Sequence, residues 1–265
     1  MNITVCIKQV PGTSEVEIDE KTGNLIREGI DTKMNPYDLY AIETAMKIKE
    51  NNSAKINVIS MGPPQAVEVI QEAYMMGADN GYLLTDKKFA GADVLATSYA
   101  LSQGINKMDN YNLIICGKMT TDGDTAQVGP EIAEFLNIPH VANVKKIIDI
   151  NSNSITVEMD MPKTVEIQEV KLPCLITVEK EIHQPRLPSF KLKLATAKRK
   201  VNNITFKDLD DSNPENFGLD GSPTQVLDVF PPTSDRVNER WKGTGKELGE
   251  RISKKLKKLK FVKDN

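Results

Sequence analysis

The residues best placed to do chemistry in this chain stand close together: Asp122, Asp124, Thr125 and Gln127, interleaved with Gly123, Ala126 and Gly129. Hydroxyl, amide and backbone N–H groups set among small residues suit the binding of an anion such as a phosphate, not the breaking of bonds. Gly123 and Ala126 leave room for a ligand to come close to the backbone. No Gly-Lys-Ser/Thr closes the stretch, so it is not a P-loop, and it lacks the Gly-x-Gly-x-x-Gly dinucleotide turn. An ordinary polar connection is the other reading of the same residues. His140 follows Pro139 and His183 opens a proline-rich stretch. Both read as structural, two histidines make no metal set, and the expectation is no catalytic residue and no metal ligand.

The position of this stretch is what gives it meaning. Leu113 to Cys116 reads as a buried strand ended by Gly117, and Pro130 to Leu136 reads as a helix. A loop from a strand's carboxyl end to a helix's amino end is where doubly wound sheets bind nucleotides, and the helix terminus there favours a phosphate. Strand and helix patterns alternate on both sides. Thr4 to Ile7, Ile56 to Met61 and Tyr82 to Leu84 read as strands; Asn35 is set to cap a helix with Pro36 in its first turn and Asp38 complementing its dipole. Leu39, Ile42 and Met46 follow on that helix's inner face. Further helices are expected over Gly62–Gly77, with Val67, Ile70 and Tyr74 inward, and over Gly91–Gly104, with Val94 and Leu101 inward. The expected fold is α/β: a doubly wound, mostly parallel, Rossmann-like sheet.

After Pro139 the pattern changes to strands with short connections, over Val141–Ile150, Ile155–Met159, Val165–Val170 and Cys174–Val178, with a hairpin turn at Asn151–Ser154. Additional antiparallel strands and an extended C-terminal arm complete the expected fold. From His183 to Phe190 the prolines forbid a regular helix, yet Leu187 and Phe190 are large and apolar. Such an arm either meets a partner or straps its own core. Residues 203–235, rich in Asn, Asp, Pro and Gly, read as an irregular connector. A last helix then places Leu248, Ile252, Leu256 and Leu259 in one stripe that something must cover, another subunit being one source. The expected division is an α/β core over 1–180, an arm over 181–200, and a connector with its helix over 201–265.

Composition sets bounds on the rest. A net charge of −3 gives no general argument for nucleic acid, and Lys254, Lys255, Lys257, Lys258 and Lys260 read as a solvated helix face. No apolar stretch approaches the ~20 residues of a membrane span. The sequence opens directly on an apolar strand pattern without a leader, and a cytoplasmic protein is expected. Cys6, Cys116 and Cys174 each sit in an apolar run, as small buried residues and not as disulfides.

Several segments together resemble the beta subunit of electron transfer flavoproteins. They are Val5–Pro11, Met34–Asp38, Met61–Pro63, Asp122–Pro130, Lys171–Val178 and Gln184–Ser189, in the family's order and spacing, while Gly221–Val226 resembles versions associated with anaerobic dehydrogenase complexes. The resemblance implies a nucleotide among Cys6, Asn35, Pro36, Tyr37, Asp38, Met61 and the run Asp122, Gly123, Asp124, Thr125, Ala126, Gln127, Val128, Gly129, Pro130, Glu131, Ile132 and Ala133. Asn35 and Asp38 are then set to meet the adenosine portion, and Thr125, Gln127 and nearby N–H groups the phosphate. It implies an arm that recognises a dehydrogenase through Arg186, Leu187, Pro188 and Phe190, Leu187 aligning with the anchoring leucine.

Two branches of that family differ in their nucleotide. One holds structural AMP. The other holds an FAD that takes a hydride from NADH and divides the electrons between ferredoxin or flavodoxin and an FAD on the alpha subunit, which serves an acyl-CoA or 2-hydroxyacid dehydrogenase. The loop Asp122–Pro130 and the arm Pro185–Phe190 resemble the second branch. AMP remains the alternative, and a nucleotide-binding sensor or scaffold without redox chemistry is a reading from another class. The family's acidic residue and paired glycines before the Lys171–Pro173 strand start are replaced here by Glu158–Thr164, so that hairpin must turn differently.

Overall fold

The computed structural model describes residues 1–12, 31–108, 110–227 and 238–261, in two compact units, Met1–Leu227 and Asp228–Asn265. The first unit opens with β1 (Asn2–Cys6), a short ribbon of β2 (Gln9–Pro11) and β3 (Thr32–Met34), and α1 (Pro36–Asn51). There follow β4 (Lys55–Met61), α2 (Val67–Met76), β5 (Asn80–Leu84), α3 (Val94–Asn106), β6 (Leu113–Gly117) and α4 (Val128–Phe135). Next come β7 (His140–Ile150), β8 (Ser154–Asp160), β9 (Val165–Lys171), β10 (Cys174–Val178), α5 (Phe190–Thr196) and β11 (Asn202–Ile204).

One nine-stranded sheet carries the order β11-β5-β4-β1-β6-β10-β7-β8-β9. Every pairing from β11 through to β7 is parallel, and the β7-β8-β9 meander is antiparallel. The doubly wound α/β expectation therefore holds. From β1 the chain steps outward through α1 to β4 and through α2 to β5. Then α3 carries it back past β1 to β6. The winding reverses between β1 and β6, and at such a switch point the loops diverge and leave a crevice beyond the strands' carboxyl ends.

The strands read as continuous apolar runs because both sheet faces are covered. Ile3, Val5, Ile56, Val58, Ile115 and Ile176 pack with Ala41, Ile42, Val69 and Ile70 of α1 and α2. On the other face Cys6, Ile59, Ile114, Cys116 and Leu175 pack with Leu101 and Ile105 of α3 and Ile132 and Ala133 of α4.

Several boundaries differ from the sequence reading. α3 starts at Val94 and not near Gly91, because Asp93 accepts a hydrogen bond from the Ala96 N–H as its cap. α4 starts at Val128, two residues before Pro130; a proline without an N–H costs nothing in a first turn whose N–H groups have no intrahelical partner. Residues 183–189 are irregular, as the prolines require, but Phe190 begins α5 behind the cap Ser189. The segment after Asn202 is not only a connector. β11 extends the sheet beside β5, and Phe217 is buried among Phe89, Tyr99 and Phe206 with ring centroids 5.8, 5.3 and 5.2 Å away. The first unit thus runs to Leu227. The departing hairpin closes at Met161 and Thr164, each N–H donating to the other's carbonyl.

The second unit holds α6 (Gly245–Lys258), started by Thr244 and Glu247 in a reciprocal capping box. None of its residues is buried within the unit, and Ile252, Leu256 and Leu259 leave their apolar stripe open. Residues 228–235 of the expected connector lie outside the described residues. Among the described residues no helix is long and apolar enough to cross a membrane.

Candidate functional site

At the switch point Cys6 and Cys116 are register partners on β1 and β6, both buried on the face covered by α3 and α4. Contact with the Cys6 thiol, together with burial, pushes the Cys116 thiol well up. Burial pushes Cys174 up to about 12. Both stay protonated, so they serve as packing and not as nucleophiles.

Above the thiols, α1 and the loop after β6 are tied to the end of β1. Asn35 is fully buried and Asp38 nearly so. The Lys8 backbone N–H donates to Asp38 Oδ2 at 2.7 Å, and Asn35 Nδ2 donates to Asp38 Oδ1 at 2.9 Å. Asn35 Nδ2 also donates to the Met119 carbonyl at 2.9 Å, and its Oδ1 accepts from the Thr121 N–H at 3.3 Å. The Asn35 side chain therefore does not cap α1. It spends its amide joining α1 to the loop after β6, a link of greater value because a buried amide must be satisfied on both sides.

Asp38 is likewise spent on the protein: burial raises its carboxyl to about 7, against the lowering effect of its hydrogen bonds from Asn35 and Lys8. Gly117 permits this approach. A Cβ there would lie 2.5 Å from Asp38 Oδ1 and 2.7 Å from the Tyr37 carbonyl carbon. Lys8 closes the circuit, its Nζ 2.6 Å from Asp122 Oδ2. Burial alone would raise Asp122, but the bonds from Lys8 and Thr120 outweigh it and hold it low, so Asp122 is ionised.

Beyond Asp122 the loop is strained. Asp124, whose N–H donates to the Thr120 carbonyl, has φ +50°, and Ala126 has φ +56°. A left-handed alanine costs roughly 1–2 kcal/mol, and such strain gathers at ligand sites. Ala126 is followed by Gln127 in the right-handed region, an alternation that turns successive N–H groups toward one concavity. Among the described residues no side chain caps α4, which leaves the N–H groups of Val128 and Gly129 without a capping partner at a positive helix end. Gly129 lets α4 start hard against β10, where a Cβ would meet Thr177 Cγ2 at 2.6 Å. In the same first turn Glu131 Oε2 is buried with no hydrogen-bond partner among the described residues, an acceptor in want of a donor.

The residues singled out from sequence thus divide by role. Cys6, Asn35, Tyr37, Asp38 and Asp122 come together at the switch point, and Met61, at the end of β4, packs against the apolar cluster that includes Cys6. Pro36 opens α1. Ile132 and Ala133 are fully buried core that seats α4. Thr125, Ala126, Gln127, Val128 and Glu131 form the rim, with Gly129 buried behind them. Lys8, Thr121 and Gly117 were not singled out. Lys8 and Gly117 flank the apolar runs at the two strand ends, the one signal that points to them.

The arm is fastened before it is offered. Arg186 donates through its backbone N–H and Nε to Glu43 Oε2 at 3.0 and 2.7 Å, and through Nη2 to Glu43 Oε1 at 2.9 Å and Glu50 Oε1 at 2.7 Å. Ser189 N–H donates to the Met75 carbonyl at the end of α2. Arg186 therefore serves this chain, while Leu187, Phe190 and Leu194 stand 87%, 73% and 66% exposed.

Residues 22–209 match the family model described as the electron transfer flavoprotein domain. The chain is 47% identical to an electron transfer flavoprotein subunit beta from Thermoanaerobacterium thermosaccharolyticum, over 97% of this chain and 98% of that protein. It is 43% identical to the caffeyl-CoA reductase-Etf complex subunit CarD from Acetobacterium woodii, over 99% and 100%. It is 40% identical to the protein FixA from Sinorhizobium fredii, over 88% and 84%.

Proposed function

This chain belongs to the electron transfer flavoprotein family as a beta subunit, and from that premise we propose that it holds FAD at the β1–β6 switch point and works in a complex that divides the electrons of NADH. The observation that carries the nucleotide is the rim itself: a strained loop with an uncapped helix start, held to β1 and α1 by the Lys8–Asp38–Asn35 circuit. The N–H groups of Gln127, Val128 and Gly129 and the Thr125 hydroxyl bind phosphate oxygens. Glu131 Oε2 accepts from a sugar hydroxyl, which removes a buried unsatisfied acceptor. Asn35 and Asp38 support the rim from behind, and Cys6, Met61 and Tyr37 offer apolar surface to the ring system.

FAD bound here supplies hydride acceptance from NADH and release of electrons one at a time. The chain's own contribution is position and field. Among the described residues no group is needed to form or break a covalent bond. The small residues Gly123, where a Cβ would meet Thr120 Oγ1 at an ordinary 3.5 Å, and Ala126 favour a dinucleotide over AMP. The CarD name places that relative with a caffeyl-CoA reductase, and it supports an acyl-CoA type of dehydrogenase as the partner here. The arm over 181–200 presents Leu187 and Phe190 to that partner. The apolar stripe of α6 is covered by the alpha subunit.

The test is turnover of the purified alpha–beta complex with its dehydrogenase, NADH, acyl-CoA substrate and ferredoxin. Ferredoxin reduction that depends on the acyl-CoA substrate is the expected result. NADH oxidation that never reduces ferredoxin or flavodoxin contradicts the electron-dividing role.

A further inference from the structure

We propose that Lys8 is the phosphate-recognising cation of this site and that Asp122 is its resting partner, exchanged for the nucleotide phosphate on binding. The inference rests on the nucleotide reading above and adds to it a residue and a direction of exchange. Three features of the circuit carry it. The Lys8 backbone is pinned at the crevice rim by its N–H bond to Asp38, so its side chain starts from a fixed point. That side chain is 44% exposed, and its ammonium lies 2.6 Å from Asp122 on the loop that continues into the N–H rim. An ionised Asp122 is itself a poor neighbour for a phosphate, since like charges side by side are destabilising unless a cation lies between them.

A lysine is a point charge on a long stem and can turn from a carboxylate to a phosphate without moving its backbone. In the exchange no covalent bond changes. Lys8 leaves Asp122 Oδ2 for a phosphate oxygen, and Asp122 turns to solvent, where a third of its side chain already lies. Without a nucleotide, the pair bridges the β1 and β6 ends and keeps a charged group from standing alone at the rim. With one, the cation is delivered where charge is added. Asp122 thus competes with the ligand for Lys8, the opposite of a direct contact.

The experiment uses the alpha–beta complex stripped of nucleotide and titrated by calorimetry with AMP and, separately, with adenosine, which lacks the phosphate. Lys8→Met should weaken AMP about tenfold and leave adenosine within about twofold, the loss expected of one charge-assisted hydrogen bond. Lys8→Arg should restore most of the AMP affinity. Asp122→Asn should tighten AMP, because it frees the cation, and lower the salt dependence of the resting state. Equal losses for AMP and adenosine in Lys8→Met would mean a structural role and overturn the inference, as would unchanged AMP binding or weaker AMP binding in Asp122→Asn. A wild-type complex that takes up neither AMP nor FAD at this site overturns the nucleotide reading itself, and the inference with it.

Discussion

The backbone N–H of Lys8, at the end of β1, donates to the buried carboxylate of Asp38, in the first turn of α1, at 2.7 Å. Through Asn35 the same carboxylate holds the loop that follows β6. One acidic side chain therefore sets the spacing of the segments that meet at the sheet's switch point. It does so at a cost in desolvation that its two donors only partly offset.

That cost has a pH signature. Burial raises the Asp38 carboxyl from 3.8 to about 7, so the folded chain binds a proton that the unfolded chain releases. The contribution to stability is fully present below the unfolded value and is lost as pH rises through about 7. Denaturation of the full chain from pH 4.5 to 8 should show a falling term that approaches ~1.4 kcal/mol per pH unit, absent in Asp38→Asn. Parallel pH profiles for the two proteins would refute it.

Arg186 and Glu43 give a second test. Glu43 is buried; burial alone would raise it, but the Arg186 bonds outweigh that and hold it below the usual carboxylate value. Arg186→Met should cost about 2–3 kcal/mol, less than a fully buried pair because the guanidinium is partly exposed. Arg186→Lys should recover only part, since an ammonium cannot reproduce the fork. A lowered carboxyl stabilises above its unfolded value, so the advantage of the natural protein should shrink as pH falls below about 4.5. A loss that stays constant into acid would exclude the ion pair as its source.

Leu187 should behave in the opposite way. At 87% exposure its removal takes little from the fold, and Leu187→Ala should change stability by no more than ~0.5 kcal/mol. Electron transfer to the dehydrogenase should fall several-fold while bound nucleotide stays constant. If nucleotide is lost instead, the arm belongs to the core and not to a docking surface.

The sheet was legible because its parallel strands are buried on both faces and so appear as apolar runs such as Leu113–Cys116 and Cys174–Val178. The position of the Asp122–Pro130 loop followed from those runs. β11 was not legible, for three residues beginning Asn-Asn give no period. Nor was the aromatic cluster of Phe89, Phe206 and Phe217, whose members stand far apart among turn residues. Asn35 reads as a helix cap by type, and only the fold shows its amide diverted to Met119 and Thr121. Arg186 reads as a partner residue because Glu43, spaced like a surface residue of α1, gives no sign of its burial beneath the arm.

The nucleotide at the β1–β6 crevice decides between the two branches of the family. The direct measurement is acid extraction of the co-purified alpha–beta complex, with FAD and AMP quantified per heterodimer. FAD in excess of the alpha subunit's own, lowered selectively by substitution of Gln127, is the predicted result. AMP in place of that second FAD would contradict the claim.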